Sequence, residues 1–205
     1  MNILVFDTCL DKMYVAIAHD DKILSSKIVT NKDNKYHSAF LISTIKEMLK
    51  ENSLTPKDIN AIGTNVGPGS FTGIRACTTV ARIMAQQLNL PAAGVSSLEI
   101  LSKLNKTSKQ TIVALDARKN SAYLYLNDEI QGAVQLDKVK EILEKGDYNL
   151  ITDDKLQSIL GGTSYQSEEH NLGEILAHLA YEKLKNSSCK WQELKPLYIQ
   201  PPPMG

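Results

Sequence analysis

The sequence predicts a duplicated α/β protein with two lobes, and three observations carry that expectation. Short apolar runs suited to strands alternate with segments of helical periodicity along the 205 residues. An apolar strand closed by an aspartate occurs twice, as Ile3-Leu4-Val5-Phe6-Asp7 and as Ile112-Val113-Ala114-Leu115-Asp116, with the two aspartates 109 positions apart. Lys103 to Lys109, rich in Lys, Ser, Thr and Asn, reads as a linker between the copies. A chain of this length buries roughly 70% of its unfolded surface, enough for one good core or two smaller ones.

The first copy opens with three expected strands, Ile3 to Asp7, Lys12 to Ala18 and Lys22 to Val29. The last two are joined by the polar turn His19-Asp20-Asp21, which predicts an antiparallel meander. A helix follows from about His37 to Glu51, where Leu41, Ile45, Met48 and Leu49 recur at helical spacing. Thr55-Pro56 suits the cap and first position of a short turn. Ile59 to Val66 reads as a strand, and the loop Gly67 to Gly73 leads into a long helix to Leu88, which Pro91 keeps from resuming past Asn89. Ala92 to Val95 is a short strand, with Ser97 as N-cap of a helix from Leu98 to Leu104. In the second copy a strand carries Tyr123 where the first carries Tyr14, again 109 positions on. Strand-like Ile130 to Val134, a helix from Leu136 to Lys145, a strand from Asn149 to Thr152 and a final helix from Leu172 to Lys185 complete it. Gly161 to Asn171 is expected as a loop.

Composition narrows the function classes. The 23 Lys+Arg balance 23 Asp+Glu, so no basic excess exists to neutralise several phosphates, and autonomous nucleic-acid binding is disfavoured. Any link to RNA is expected through a partner. The longest apolar run, Met13 to Ala18, falls far short of the roughly 18 residues that span a bilayer. The first residues lack the basic segment and long apolar core of a signal peptide. Cys9, Cys77 and Cys189 are odd in number and without Cys-x-x-Cys spacing, which reads as reduced thiols in a cytoplasmic protein.

A strand-rich, helix-finished unit occurring twice implies duplication, with lobes at 1–104 and 110–205 facing each other across a cleft and the second visibly degenerate. Paired ribonuclease H-like lobes of this kind are the architecture of actin, hexokinase and the heat-shock chaperone ATPases, where the aspartate ending each first strand faces nucleotide phosphates. Spacing alone leaves open any α/β protein with two Asp-terminated strands.

The most distinctive stretch is Asn65-Val66-Gly67-Pro68-Gly69-Ser70-Phe71-Thr72-Gly73-Ile74-Arg75. Together with Phe6-Asp7-Thr8, Pro91-Ala92-Ala93-Gly94-Val95-Ser96-Ser97-Leu98-Glu99 and Leu115-Asp116-Ala117-Arg118, in order and spacing through Leu126, it resembles the bacterial TsaB family, also called YeaZ, accessory proteins of tRNA threonylcarbamoyladenosine synthesis. Pro196-Leu197-Tyr198-Ile199 also fits, whereas Gln200 stands where many relatives have Arg, so no role is carried to the C-terminus. The resemblance implies the two-lobed ATPase-like fold. It also implies a non-catalytic partner that binds and activates TsaD, the related protein attaching the threonylcarbamoyl group to adenosine beside the anticodon. The small ATPase TsaE would join a larger assembly, and TsaC upstream would make the threonylcarbamoyl-adenylate donor. Transfer RNA would be met only indirectly, and a homodimer is the alternative state when the partner is absent.

The residues themselves offer little catalytic chemistry. The glycine loop joins a strand to a helix N-terminus, where free amides could hold an anion. It lacks the Lys of a Walker loop and the spacing of a dinucleotide fingerprint, which favours a rigid turn capped by Ser70 or Thr72. Asp7 and Asp116 stand where an active relative would hold metal-bound phosphate, so a small-molecule kinase or ATPase using both is the alternative function. A strand-end Asp equally receives the amides of its own turn. Thr8 becomes Ala117 in the second copy, and Gly161-Gly162-Thr163 is the only remnant of a second phosphate loop. The catalytic relative carries histidines at i and i+4 on the helix after Gly-Val, one face gripping a metal; here Ser97 and Leu101 stand there. His19, His37, His170 and His178 have no His-x-x-x-His spacing. Ser70 lacks the glycines of a nucleophile elbow. Cys9 lies beside a carboxylate that raises a thiol pKa, and Cys77 falls on an apolar helix face. No catalytic residue, cofactor site or metal ligand is assigned.

What remains is surface. On the helix from Thr72 to Leu88, Ile74, Cys77, Ala81, Met84, Ala85 and Leu88 make one stripe for the sheet, while Ala76, Val80 and Ile83 form a second. Phe40 similarly sits off its helix's main stripe. The two helices packing on each other would account for this pattern; the TsaB resemblance implies that they pair with TsaD. Phe40, Ala76, Val80 and Ile83 are the expected partner-binding residues.

Overall fold

The computed structural model describes residues 1–30, 37–168 and 170–200, and in it both copies fold with one strand order. In the first, β1 (Asn2–Asp7), β2 (Met13–His19) and β3 (Lys22–Val29) form the antiparallel meander. A 3-10 turn at His37–Phe40 opens α1 (Leu41–Glu51). Beyond it β4 (Ala61–Asn65), α2 (Phe71–Leu88), β5 (Ala92–Val95) and α3 (Ser97–Ser102) complete the copy, and the parallel pairs β1/β4 and β4/β5 give the order β3-β2-β1-β4-β5. The second copy runs β6 (Gln110–Asp116), β7 (Ser121–Leu126), β8 (Glu129–Gln135), α4 (Leu136–Glu144), β9 (Tyr148–Thr152), α5 (Asp154–Leu160), β10 (Thr163–Ser164) and α6 (Leu172–Asn186). Its sheet order, β8-β7-β6-β9-β10, repeats the first. The fold is the expected duplicated α/β unit, two five-stranded sheets of one strand order. The degeneracy of the second copy is visible in α5, which has 7 residues where α2 has 18.

The first sheet is covered on both faces, which explains the unbroken apolar runs of β1 and β2. Leu4, Phe6, Val15, Ile17 and Ile62 meet Leu41, Ile45, Met48, Ile74, Cys77 and Ala81 from α1 and α2. On the other face α6 crosses all five strands. The approach is close: a side chain at Gly63 would put its Cβ 2.6 Å from that of Ala180. The second core joins Ile112, Ala114, Ala122, Leu124 and Leu150 to Val139 of α4 and Leu156 of α5. No described helix is long and apolar enough to cross a membrane.

Three expectations change. The compact units are Met1–Ser97 with Asn171–Leu197, and Leu98–His170 with 198–200, so the boundary at 1–104 and 110–205 does not hold among the described residues. The final helix follows the second copy in sequence yet belongs to the first sheet, because a sheet with two apolar faces needs a second cover. The Tyr14 and Tyr123 correspondence also fails at the level of pairing. Asp7 faces Tyr14, whereas Asp116 faces Ala122 and Tyr123 pairs with Leu115. The second turn is one residue shorter, and a one-residue slip moves a side chain to the other face. Finally, α5 replaces an unassigned stretch; Asp153 caps it, its side chain accepting the Leu156 N–H at 2.8 Å, and Gly161 ends it.

Candidate docking face and strand-end cluster

Asp7 closes β1 and is 1% exposed. Its Oδ1 accepts the Cys9 N–H at 2.6 Å and its Oδ2 accepts the Asn65 side-chain amide at 2.9 Å. Asn65, at the end of β4, extends the network: its amide nitrogen donates to Ser97 Oγ at 2.8 Å and its Oδ1 accepts the Gly67 N–H at 2.8 Å. Ser97 is thus the first residue of α3 with its hydroxyl in this network, rather than the expected N-cap. Burial outweighs the hydrogen bonds, and with repulsion from Asp11 it pushes the Asp7 carboxyl up to about 6.

The glycine loop is built onto this strand end. Ser70 N–H donates to the Cys9 carbonyl at 2.7 Å, and Ser70 Oγ caps α2 by accepting the Gly73 N–H at 3.3 Å, as the sequence implies. Gly67 has φ +103°, and at Gly73 a Cβ would lie 1.8 Å from the Thr8 carbonyl oxygen. The Ser70 amide is thus engaged by Cys9, those of Gly67 and Gly73 by the Asn65 and Ser70 side chains, and the space at Gly69 and Gly73 is filled by the Thr8-Cys9 backbone, which makes the arrangement a rigid turn rather than an open phosphate cradle. Beneath it Thr8 Oγ1 donates to the Gly73 carbonyl at 2.7 Å and lies 2.9 Å from Cys77 Sγ. Cys9 Sγ lies 3.6 Å from Cys77 Sγ. Asp7, Cys9 and Cys77 thus converge although nothing in their spacing joins them; only the pairing of β1 with β4 and the seating of α2 do so.

Asp116 has other company. Its Oδ1 accepts the Arg118 N–H at 3.1 Å, receiving an amide of its own turn, and its Oδ2 pairs with Lys155 Nζ at 2.7 Å. Leu101 is fully buried, as expected of a core residue. His19 accompanies Asn2 and Asp20, and His170 accompanies Glu168. The side chain of His37 lies outside the described residues.

The expected docking residues divide. Ile83 is 54% exposed, and Phe40 is exposed on the 3-10 turn that touches α2. Ala76 is half-buried. Val80 packs partly against the core, so it serves both inside and outside. On α1 and α2 two further exposed apolar side chains were not singled out in the sequence, Ile42 and Phe71. In the sequence Ile42 is adjacent to the core residue Leu41 and reads with it, and Phe71 lies inside the loop motif; the Phe71 ring carries the Arg75 guanidinium at 3.9 Å.

A family model described as "TsaD: tRNA N6-adenosine threonylcarbamoyltransferase" matches residues 22–166. The chain is 28% identical over 156 residues to the tRNA threonylcarbamoyladenosine biosynthesis protein TsaB of Buchnera aphidicola subsp. Schizaphis graminum, a match covering 70% of this chain and 73% of that one. It is 30% identical over 136 residues to the protein of that name from Bacillus subtilis, covering 66% of this chain and 58% of the relative, little more than half its length. With the Escherichia coli protein of that name the identity is 26%, over 98% of this chain and 91% of the other. Among solved structures, YeaZ from Pseudomonas aeruginosa shares the fold at a TM-score of 0.72 and 20% identity, over 96% of this chain and 99% of that one. A second Pseudomonas aeruginosa structure, of a protein with similarity to peptidase YEAZ, aligns at a TM-score of 0.77, also at 20% identity, over 97% and 99%. With the loop motif and the repeated strand order on the same chain, these matches establish that it belongs to the TsaB (YeaZ) family.

Proposed function

We propose that this chain takes part in forming threonylcarbamoyladenosine on tRNA as a non-catalytic subunit, binding and activating TsaD through a heterodimer contact on α1 and α2. The observation that carries the reading is a run of exposed apolar side chains, Phe40 on the turn before α1, Ile42 on α1 and Ile83 on α2, with half-buried Ala76 and Val80 beside Ile83 at helical spacing. An outward apolar strip on a helix is the feature a partner helix would cover. The names of the relatives and the family model supply the pathway. A non-catalytic role fits a strand-end aspartate engaged by Cys9 and Asn65, and a second one paired with Lys155. TsaE would join the larger assembly, tRNA would be reached through TsaD, and the same face would form a homodimer when TsaD is absent. The work would take place in the cytoplasm.

The test is co-purification of TsaD with Ile83→Asp and Phe40→Asp, alongside melting of each variant alone. The expected result is lost binding with an unchanged melting temperature, since an unpaired charge buried only in the complex opposes only the complex. Wild-type retention of TsaD by both folded variants would remove the assignment. Nucleotide turnover by the isolated chain that vanished in Asp7→Ala would instead support a small-molecule kinase or ATPase using Asp7 and Asp116.

A further inference from the structure

We propose that Asp7, Cys9 and Cys77 form a structural binding site for one thiophilic divalent cation of the zinc class, clasping the end of β1 to α2 beneath the glycine loop. The three residues are buried, and one ligand atom from each, a carboxylate oxygen and two sulfurs, lies within 4.8 Å of the others. The sulfurs already stand 3.6 Å apart. Two thiolates on a tetrahedral zinc, each about 2.3 Å from the metal, are separated by about 3.8 Å, so the pair is at ligand separation with little rearrangement. An oxygen for the fourth place is near: the Asn65 carbonyl is 3.4 Å from Cys9 Sγ. The Thr8 N–H donates to Cys77 Sγ at 3.2 Å, a contact that a thiolate would keep, while the proton that Cys77 gives to the Gly73 carbonyl at 3.0 Å would be one of those released on binding.

Charge argues the same way. A buried carboxylate held by the Cys9 N–H and the Asn65 amide, with Asp11 adding repulsion, is where a cation gains most, and two soft sulfurs beside it select zinc-like ions over magnesium or calcium. Binding is balanced as one M2+ taken up by the carboxylate and two thiols, with two protons released and no change of oxidation state. The site is distinct from the i, i+4 histidine pair that the sequence lacks, and its consequence is mechanical. It would fix the start of α2, which carries Phe71 and leads to Ile83, against the meander.

The experiment titrates the reduced, chelator-treated full chain with Co2+ and with Zn2+. One equivalent of Co2+ should give the sulfur-to-cobalt charge-transfer band and the intense visible bands of a tetrahedral thiolate site, and one equivalent of Zn2+ should abolish them. Zinc at a hundredfold over its Kd should raise the melting temperature by about 5–10 °C. Cys9→Ser and Cys77→Ser should lose the bands, and Cys189→Ser should keep them. Because either core variant could misfold, alkylation of the wild-type thiols in partial denaturant is read as well: zinc should slow the labelling of Cys9 and Cys77 and leave that of Cys189 unchanged. Absent cobalt bands, bands that survive Cys9→Ser and Cys77→Ser, dependence on Cys189, or a Cys9–Cys77 disulfide recovered from freshly purified protein would each overturn the site.

Discussion

At Gly73 there is no room for any side chain, because the Thr8 carbonyl oxygen occupies the space at 1.8 Å from where a Cβ would sit. Gly73→Ala should therefore cost about 3 kcal/mol or more in urea unfolding, while Gly132→Ala, at φ +91° with open space around it, should cost only about 1–2 kcal/mol of backbone strain. Gly69 belongs with Gly73: it is held by the Cys9 carbonyl, 2.3 Å from its would-be Cβ, rather than by a need for unusual dihedral angles. Asp7 gives a second test at this scale. Its carboxyl ordinarily titrates near 3.8 and is raised to about 6 in the fold, so the folded state holds the proton that the unfolded state has released. Stability of the metal-free protein should fall as pH rises from about 4 to about 6, by about 3 kcal/mol, and level off above. Exposed Asp20 and Asp58, lowered by the hydrogen bonds of the N-terminal amine and of Thr55, act in the opposite sense. The Asp7 contribution is thus read as the difference between wild type and Asp7→Asn, and equal pH profiles for the two would refute it.

Along α2, burial separates two neighbours that periodicity puts on one strip. Val80 reaches the core, so Val80→Asp should lose about 2–3 kcal/mol by denaturant unfolding, whereas Ile83→Asp should stay within about 0.5 kcal/mol of wild type. Equal losses would mean that the strip is one continuous part of the core. On the opposite face of the sheet, Ala180→Leu should destabilise by about 1–3 kcal/mol, since α6 sits on β4 at the closeness that Gly63 and Ala180 permit. The strip itself was legible in the sequence because Ala76, Val80 and Ile83 recur at helical spacing. How deeply each member sits was not, since that depends on what the neighbouring 3-10 turn covers.

For the whole molecule, the placement of α6 makes one prediction. A fragment ending at residue 170 would strip one face of the first sheet, uncovering Val5 beside Gly63. It should be insoluble or give a collapsed amide spectrum, although it retains every strand of both sheets; a well-dispersed spectrum would show that α6 is dispensable.

By itself the sequence determined the repeated Asp-terminated strands, the meander, the glycine loop with its Ser70 cap and the helical strip, because these are local: periodicity, turn chemistry and capping act over a few residues. It could not decide what meets across 68 positions of chain. The gathering of Cys9 with Cys77, the binding of Asp7 by Asn65, the one-residue difference in pairing between the two copies and the return of α6 to the first sheet follow from strand order and from the covering of a second apolar face. Those are long-range packing outcomes, and only the tertiary structure contains them.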